Sequence, residues 1–342
     1  MNEYVGLDVS KEETSYCVVD ISGKVLSQGK TLSDPEALFL MLEGETLCPE
    51  RIVLETGTLS NWLARGLRAR GMPVDIIDAR QAHAVMKLQH NKTDANDAVL
   101  LAEIARTGFC RPVAISSEKA HEQRILIKAR KHLVHQRTAT QNALRGFLAS
   151  LGVRFPKGRG KLKERVTDIL GDQPTLAPMI MPLLSSIDAL ERQIARYDHA
   201  ISTSAKNSEA CRLLMTVPGV GQNTALAFVA AIDDPARFAS SRKVGAYLGL
   251  TSRRYQSGEM DYSGRISKNG DGVLRSLLFE AANVLLTRVR KAHPLKDWAR
   301  RLRKRSSYKK ACVALARKLA VIMHKMLVTG EAFRWPASES IA

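Results

Sequence analysis

Tyr4-Val5-Gly6-Leu7-Asp8-Val9 is a short apolar run with branched side chains that ends in a carboxylate, and it reads as the first β-strand of the chain. Ser10 and Lys11-Glu12-Glu13 then mark a turn. Residues 16–20 read as a second strand, Ile21-Ser22-Gly23-Lys24 as hairpin punctuation, and residues 25–31 as a third strand. Three strands joined by short turns make an antiparallel meander. Working outward, Ser33 as N-cap with Asp34-Pro35 opens a helix through Leu42. Residues 51–55 form the next strand, which also ends in a carboxylate, Glu55. A helix over 61–70 is closed by Gly71, and 73–77 is a fifth strand. This order predicts a mixed α/β sheet. No GxGxxG follows the first strand, so a dinucleotide-binding domain is not indicated.

After the fifth strand comes Asn91-Lys92-Thr93-Asp94-Ala95-Asn96-Asp97, followed by apolar Ala98, Leu101, Ala102 and Ala105. The spacing predicts an amphipathic helix with Thr93 as N-cap, stopping at Thr107-Gly108. Residues three apart share a helix face, so Asp94 and Asp97 project together from the first turn. Acids there complement the helix dipole. They also suit half of a site for a hard divalent cation, which needs carboxylates converging from separate elements. Asp8 and Glu55, each at a strand end, are the other half. Four acids in this order on such a sheet can meet at one edge.

With 342 residues the chain is too long for one core, and two or three domains are expected. The formal net charge of +18 points to a polyanionic partner, nucleic acid above all. Aromatic residues make up only 5%, which favours contacts to phosphates over broad base-stacking platforms. The five cysteines, Cys17, Cys48, Cys110, Cys211 and Cys312, are scattered and never form CxxC, as expected in a reducing compartment without a zinc site. There is no signal-peptide pattern at Met1-Asn2-Glu3-Tyr4 and no apolar run of membrane-spanning length, so a soluble cytoplasmic protein is expected.

From about Pro112 the composition shifts. Residues 122–165 carry Arg124, Lys128, Arg130, Lys131, Arg137, Arg145, Arg154, Lys157, Arg159, Lys161, Lys163 and Arg165 against only Glu122 and Glu164. A thin apolar stripe predicts one long helix over 117–150, and a second helix follows Pro182. Narrow stripes suit a coiled-coil hairpin or a dimer seam. The stretches 157–161 and 174–182 read as mobile connections. A charge run is ordinarily a solvated face, but an excess this large on one element favours an anionic partner.

Residues 216–225, Thr-Val-Pro-Gly-Val-Gly-Gln-Asn-Thr-Ala, resemble the hairpin of a helix-hairpin-helix module, which would offer free helix N–H groups to a phosphate; an ordinary interhelical turn is the plainer reading. Residues 238–250 read as helical, and 250–259, Leu-Thr-Ser-Arg-Arg-Tyr-Gln-Ser-Gly-Glu, as a basic loop followed by Arg265, Lys268 and a helix from Val273. Ser257 could be simply a turn residue. No His and Asp stand near it in a triad-like arrangement, so an acyl hydrolase is not indicated. Arg253, Arg254, Arg265 and Lys268 could bind a phosphodiester. Residues 288–325 hold fourteen Lys and Arg against Asp297 alone, with Arg301, Arg303 and Arg305 in the densest cluster, which reads as a nucleic-acid grip. A packing helix begins near Val313, its methionines plain core.

Three segments together, Leu7-Asp8-Val9-Ser10-Lys11, Leu54-Glu55-Thr56-Gly57-Thr58 and Lys92-Thr93-Asp94-Ala95-Asn96-Asp97, resemble the RuvC-type, ribonuclease-H-like DEDD domain of the IS-one-ten (Piv-type) family of bacterial insertion-sequence transposases and DNA invertases. Residues 249–258 with Arg265-Ile266-Ser267-Lys268 are similar to the family's second, transposase domain. The departures are Ser252, where a proline is often found, and the strongly basic tail. The resemblance implies a RuvC-like DEDD domain over 1–112, a coiled-coil helical spacer for dimerisation over 113–207, and a serine-bearing, mainly α transposase domain over 208–342. It further implies Mg2+ or Mn2+ held by Asp8, Glu55, Asp94 and Asp97, and Ser257 as a nucleophile that forms a transient phosphoserine link to DNA. The implied partners are double-stranded DNA at element ends and target, a structured guide RNA, and further copies of the chain as a dimer or tetramer, in the bacterial cytoplasm at the nucleoid.

Two other function classes are a metal-only RuvC-type nuclease or resolvase and a non-catalytic nucleic-acid-binding protein. The four acids argue against the last, because buried like charges without a cation weaken fold and binding. A serine hydroxyl needs a base or a metal, and its own loop is read as offering only cations. The acids are therefore expected to complete a composite centre with Ser257, contributed by different subunits across a spacer roughly 50 Å long at 1.5 Å per residue.

Overall fold

The computed structural model describes residues 2–46, 49–86, 93–155, 162–172 and 174–335. Asn91, Lys92, Cys48 and the connection over 157–161 lie outside the described residues. The chain divides into two compact units, Met1–Ser116 and Ser117–Ala342.

The first unit runs β1 (Glu3–Val9), β2 (Glu13–Asp20), β3 (Val25–Leu32), α1 (Pro35–Glu45), β4 (Pro49–Glu55), α2 (Ser60–Ala69), β5 (Val74–Ile77), α3 (Ala79–Met86), α4 (Asp94–Thr107) and β6 (Pro112–Val113). The expected meander is present: β1 pairs β2 and β2 pairs β3, both antiparallel. β1 and β5 flank β4 in parallel, and the sheet order is β3-β2-β1-β4-β5-β6. The first helix is capped by Asp34, which accepts from the Glu36 and Ala37 amides, and not by Ser33. Ser33 is instead buried beside Thr14 and donates to the Ser10 carbonyl, tying down the turn after β1. Neither α3 nor β6 was anticipated. Each is short, and β6 has only two residues, too few for a readable alternation.

Side chains alternate across the sheet, so its two faces bury different sets. Val5, Leu7, Ile52, Leu54 and Ile76 pack under Leu38, Leu42, Leu63 and Leu67 of α1 and α2. Tyr4, Cys17, Val19, Val53 and Ile77 pack under Ala98, Leu101, Ala102 and Ala105 of α4. Helix α4 sits very close to β1 because Gly6 has no side chain at the crossing. Thr93 caps α4 as expected, accepting from the Asn96 amide, and Gly108 ends it in the left-handed region at φ 66°.

The second unit is mostly helical: α5 (Glu118–Ser150), α6 (Leu162–Asp172), α7 (Ala177–Lys206), α8 (Glu209–Leu214), α9 (Gln222–Ile232), α10 (Ser241–Tyr247), the strands β7 (Ser252–Ser257) and β8 (Met260–Ile266), then α11 (Gly272–Thr287), α12 (Pro294–Arg305) and α13 (Tyr308–Thr329). Helices α5 and α7 lie antiparallel: Arg130 pairs Asp198 near one end, while Leu144 and Leu148 pack with Ile180, Leu184 and Ile187 toward the other. The second long helix begins before Pro182, with that proline inside it. Pro182 is on the exposed side in the second turn, where the carbonyl it leaves unbonded meets water. The segment 174–182 is therefore ordered as a 3-10 turn, Pro174–Leu176, leading into α7.

Phe228, Leu226, Leu248, Leu278, Leu315, Leu319 and Met323, from α9, α10, α11 and α13, form the main core of this unit. The region 238–250 is less helical than expected, because Pro235 opens a 3-10 turn and Gly249, at φ 65°, ends α10's exit. The tail helix starts at Tyr308, capped by Ser307, five residues before the expected point. Among the described residues no helix is long and apolar enough to cross a membrane, and Cys17, Cys110, Cys211 and Cys312 are free, buried thiols.

Candidate functional site

The register of β1 against β4 pairs Leu7 with Leu54, so one residue further along Asp8 stands beside Glu55. Both are half-buried and, by alternation with Gly6 and Val53, belong to the α4 face. The direction of α4 follows from its other end: Arg106 donates to the Ile21 carbonyl in the β2–β3 turn, which lies at the start of β1. The first turn of α4 is thus at the end of the sheet where Asp8 and Glu55 sit. Asp97 is buried there, 7% exposed, and Asp94 is exposed. Three of the four acids are therefore shielded from water to some degree at a common edge. The donor set is entirely carboxylate oxygen, the kind hard divalent cations take. Among the described residues no three His, Cys, Asp or Glu side chains stand close enough together to hold a metal ion.

Asp78, which the sequence reading passed over, follows β5 at the same end of the parallel strands. Hydrogen bonds from the Arg80 side chain hold its carboxyl below the usual range. An acid directly after a four-residue strand was the available signal.

The stretch read as a basic loop is a two-stranded antiparallel ribbon. Ser252 pairs Ile266, Arg254 pairs Ser263, Tyr255 pairs Tyr262 and Ser257 pairs Met260, with an irregularity between Ser252 and Arg254. Gly258, at φ 56°, and Glu259 form the two-residue turn, the signature that marks a hairpin and was legible in Ser-Gly-Glu. Ser257 is exposed, the last residue of β7. At the ribbon's base the Lys268 amide donates to the Gly249 carbonyl and the Ser267 amide to the Thr251 carbonyl. A side chain on Gly249 would fall 2.3 Å from the Asn269 backbone, and one on Gly270 2.3 Å from the Tyr247 carbonyl oxygen.

The serine's surroundings are not cationic alone. Glu259 is exposed in the turn, and Asp261 binds Arg254 through two hydrogen bonds of 2.8 and 2.6 Å. That contact lowers the Asp261 carboxyl and raises the Arg254 guanidinium, so Arg254 is already partnered. Arg253, Arg265 and Lys268 are exposed, and Arg253 donates to the Ser267 carbonyl.

The tail cluster is exposed at Arg301, Arg303 and Arg305 on α12, but part of the tail's charge is spent within the fold. Lys318 lies over Trp298 at 3.7 Å, Arg303 over Tyr308 at 5.4 Å, and Lys296, buried, donates to the Val289 carbonyl. The segment around residues 216–225 is a turn joining α8 and α9. Gly219, at φ 89°, lets it rest on α11, where a side chain would fall 2.5 Å from the Ala281 carbonyl oxygen, and the start of α9 at Gly221 has no side-chain cap.

Comparison with known proteins covers both units. Residues 5–152 match a DEDD transposase family model and residues 211–297 a model described as Transposase IS116/IS110/IS902 family. A transposase for insertion sequence element IS1111A from Coxiella burnetii is 30% identical over 336 residues, 96% of this chain and 91% of the relative. A transposase for insertion sequence element IS1328 from Yersinia enterocolitica is 29% identical, covering 84% of this chain and 86% of its own. A pilin gene-inverting protein of Moraxella bovis is 25% identical over 95% of each. A DEDD transposase domain implies dependence on a divalent metal in general. Identity of this extent, with both models matched in order, makes the chain a member of the IS116/IS110/IS902 family of transposases, enzymes that cleave DNA and transfer its strands.

Proposed function

We propose that the protein is the recombinase of a bacterial insertion sequence, cutting and rejoining double-stranded DNA through a phosphoserine at Ser257, with Asp8, Glu55, Asp94 and Asp97 holding Mg2+ or Mn2+ and a structured non-coding RNA choosing the site. The observation that carries the serine reading is its position: an exposed hydroxyl at the tip of a ribbon whose base is clamped by Gly249 and Gly270. A nucleophile must reach a phosphate on a bulky duplex, and an exposed tip on a fixed base meets that need. The sheet order β3-β2-β1-β4-β5, with an antiparallel meander followed by parallel strands, supports a ribonuclease-H-like first unit, and the acids at one end of β1, β4 and α4 support the cation site.

In this reading the Ser257 oxygen forms a bond to phosphorus while the bond from phosphorus to a sugar oxygen breaks. The serine proton passes to a carboxylate, and the sugar oxygen leaves and later returns to re-form the strand. Arg253, Arg265 and Lys268, toward the ribbon's base, grip neighbouring phosphates of the same strand and so position the one that meets Ser257. A bound divalent cation would polarise the phosphate. Asp8 and Glu55 are half-buried and Asp97 is buried, so all three are partly withdrawn from water at that end of the sheet.

Trapping is the test: denaturing the protein on a nicked or suicide element-end duplex should leave DNA covalently attached to a peptide containing Ser257, and Ser257→Ala should leave none. Cleavage with no attachment would favour a metal-only nuclease using the same acids. The pilin gene-inverting relative supports inversion as the second reading of the outcome, which a substrate with two oriented sites separates from transposition. Sequencing RNA that co-purifies with the protein tests the guide: one recurrent structured species is expected, and random fragments would count against it.

A further inference from the structure

The ribbon has two faces, and the serine reading uses only a corner of one. Alternation from the Tyr255–Tyr262 pair assigns Tyr255, Ser257, Met260 and Tyr262 to the front and Arg254, Gln256, Asp261 and Ser263 to the back. The back is polar and closed by the Arg254–Asp261 ion pair. The front is apolar and open: Met260 is 65% exposed, Tyr262 58% and Tyr255 46%. The two rings stack with centroids 5.0 Å apart and planes 19° from parallel. Gly264 leaves room for this, since a side chain there would fall 3.1 Å from the Tyr255 ring.

A cross-strand aromatic pair steadies a ribbon that has no core of its own. That role does not call for Met260 beside the serine, nor for both rings in water in a chain so poor in aromatics. The surroundings identify what could cover them. Arg253, Arg265 and Lys268 are exposed and no ion pair joins them to an acid among the described residues, so cations stand at the base of the ribbon that carries the apolar face. Exposed rings on an arm with a cationic base suit the bases and phosphates of a nucleic acid. A two-stranded ribbon fits a DNA groove, and apolar side chains inserted between base steps unstack them. Tyr255 and Ser257 are two residues apart, about 7 Å along the strand, close to two base steps at ~3.4 Å each.

We propose that Tyr255, Tyr262 and Met260 form a wedge that stacks on bases of the strand being cut, holding the step beside the scissile phosphate open while Ser257 meets that phosphate. This rests on the serine reading for the choice of strand. The residues are positioning and binding groups, not catalytic ones.

The test uses the full-length protein and an element-end duplex carrying 2-aminopurine at successive positions around the mapped cut. Wild type, Ser257→Ala and the Tyr255→Phe/Tyr262→Phe pair should change the fluorescence at one or two positions flanking the cut. Tyr255→Leu/Tyr262→Leu, which keeps an apolar cross-strand pair, should lose that change and weaken binding by about 5- to 100-fold, with an unaltered melting temperature. A wild-type response retained in the leucine pair, no response at any position, or a response only from labelled guide RNA would each overturn the wedge. Fluorescence change without a trapped phosphoserine would sink the serine reading and leave base stacking standing; a trapped phosphoserine without the change does the reverse.

Discussion

Gly6 lies directly against Ala98: a Cβ built on Gly6 would fall 2.1 Å from the Ala98 carbonyl oxygen and 2.2 Å from the Ala102 amide nitrogen. Backbone on both sides cannot give way as a flexible side chain would. The contact fixes the height of α4 over β1, and with it the buried Asp97 over the strand ends. Gly6→Ala should therefore destabilise the first unit by about 3 kcal/mol or more, at the upper end for overpacking. Urea unfolding would measure it; a midpoint within error of wild type would mean that α4 slides freely on the sheet.

Asp8→Asn, Glu55→Gln, Asp94→Asn and Asp97→Asn are each expected to abolish strand cleavage while the fold persists. Each removes one hard oxygen ligand and the charge that favours a cation. Cleavage of an element-end duplex in Mg2+, with circular dichroism on the same samples, is the check. Asp94 is the most exposed of the four, and full activity of Asp94→Asn would reduce the site to three acids.

Affinity for DNA should fall steeply as salt rises, because phosphate neutralisation releases counterions. Arg301→Glu and Arg305→Glu should each lower the slope of log affinity against log salt by roughly one unit. Arg303 is a poorer probe, since its guanidinium also covers Tyr308 and its loss would remove packing. A slope unchanged by both substitutions would assign the α12 cluster to a face that DNA does not touch.

The second unit should lose stability on acidification. His324 is 1% exposed, bonded through Nδ1 to Ser241 and through Nε2 to the Pro235 carbonyl, and burial lowers its pKa below the ordinary 6.5. A histidine so depressed is neutral in both states above pH 6.5, where its contribution is complete. As pH falls from 6.5 toward the lower folded value, the unfolded chain takes up the proton first and stability drops. His293 is shifted in the same direction, also by burial. Melting temperature should decline between pH 7 and the acid side of 6.5, and less steeply in His324→Gln. Identical pH profiles for the two proteins would show that His324 does not contribute.

Much of the first unit was legible because its inner strands are short apolar runs bounded by turn residues and α4 carries its own caps: Thr93 and Gly108 mark α4 at both ends, and Gly23 marks the β2–β3 turn. The strand order placed Asp8 beside Glu55, with the first turn of α4 at the same end of the sheet. What local pattern could not supply were features decided by tertiary context. Pro182 stays helical because Ile180, Leu184 and Ile187 anchor α7 on both sides of it. The ribbon was missed because residues 252–260 are exposed throughout, so burial never imposed an apolar alternation, and only the glycine turn remained to announce it. Lys318 over Trp298 joins residues twenty apart on separate helices, a pairing no helical periodicity contains.

The pairing of β7 with β8 gives the ribbon a parity. Beyond the irregularity between Ser252 and Arg254, every position toward the tip is assigned to a face by counting from the Arg254–Ser263 pair. One residue added to β7 between Tyr255 and Ser257 turns Ser257 to the side of Asp261, whereas two added to each strand carry the serine outward by about 7 Å and leave its facing intact. Even-step length changes in this arm should therefore keep the facing of Ser257, so that reach can change without the helical core taking part.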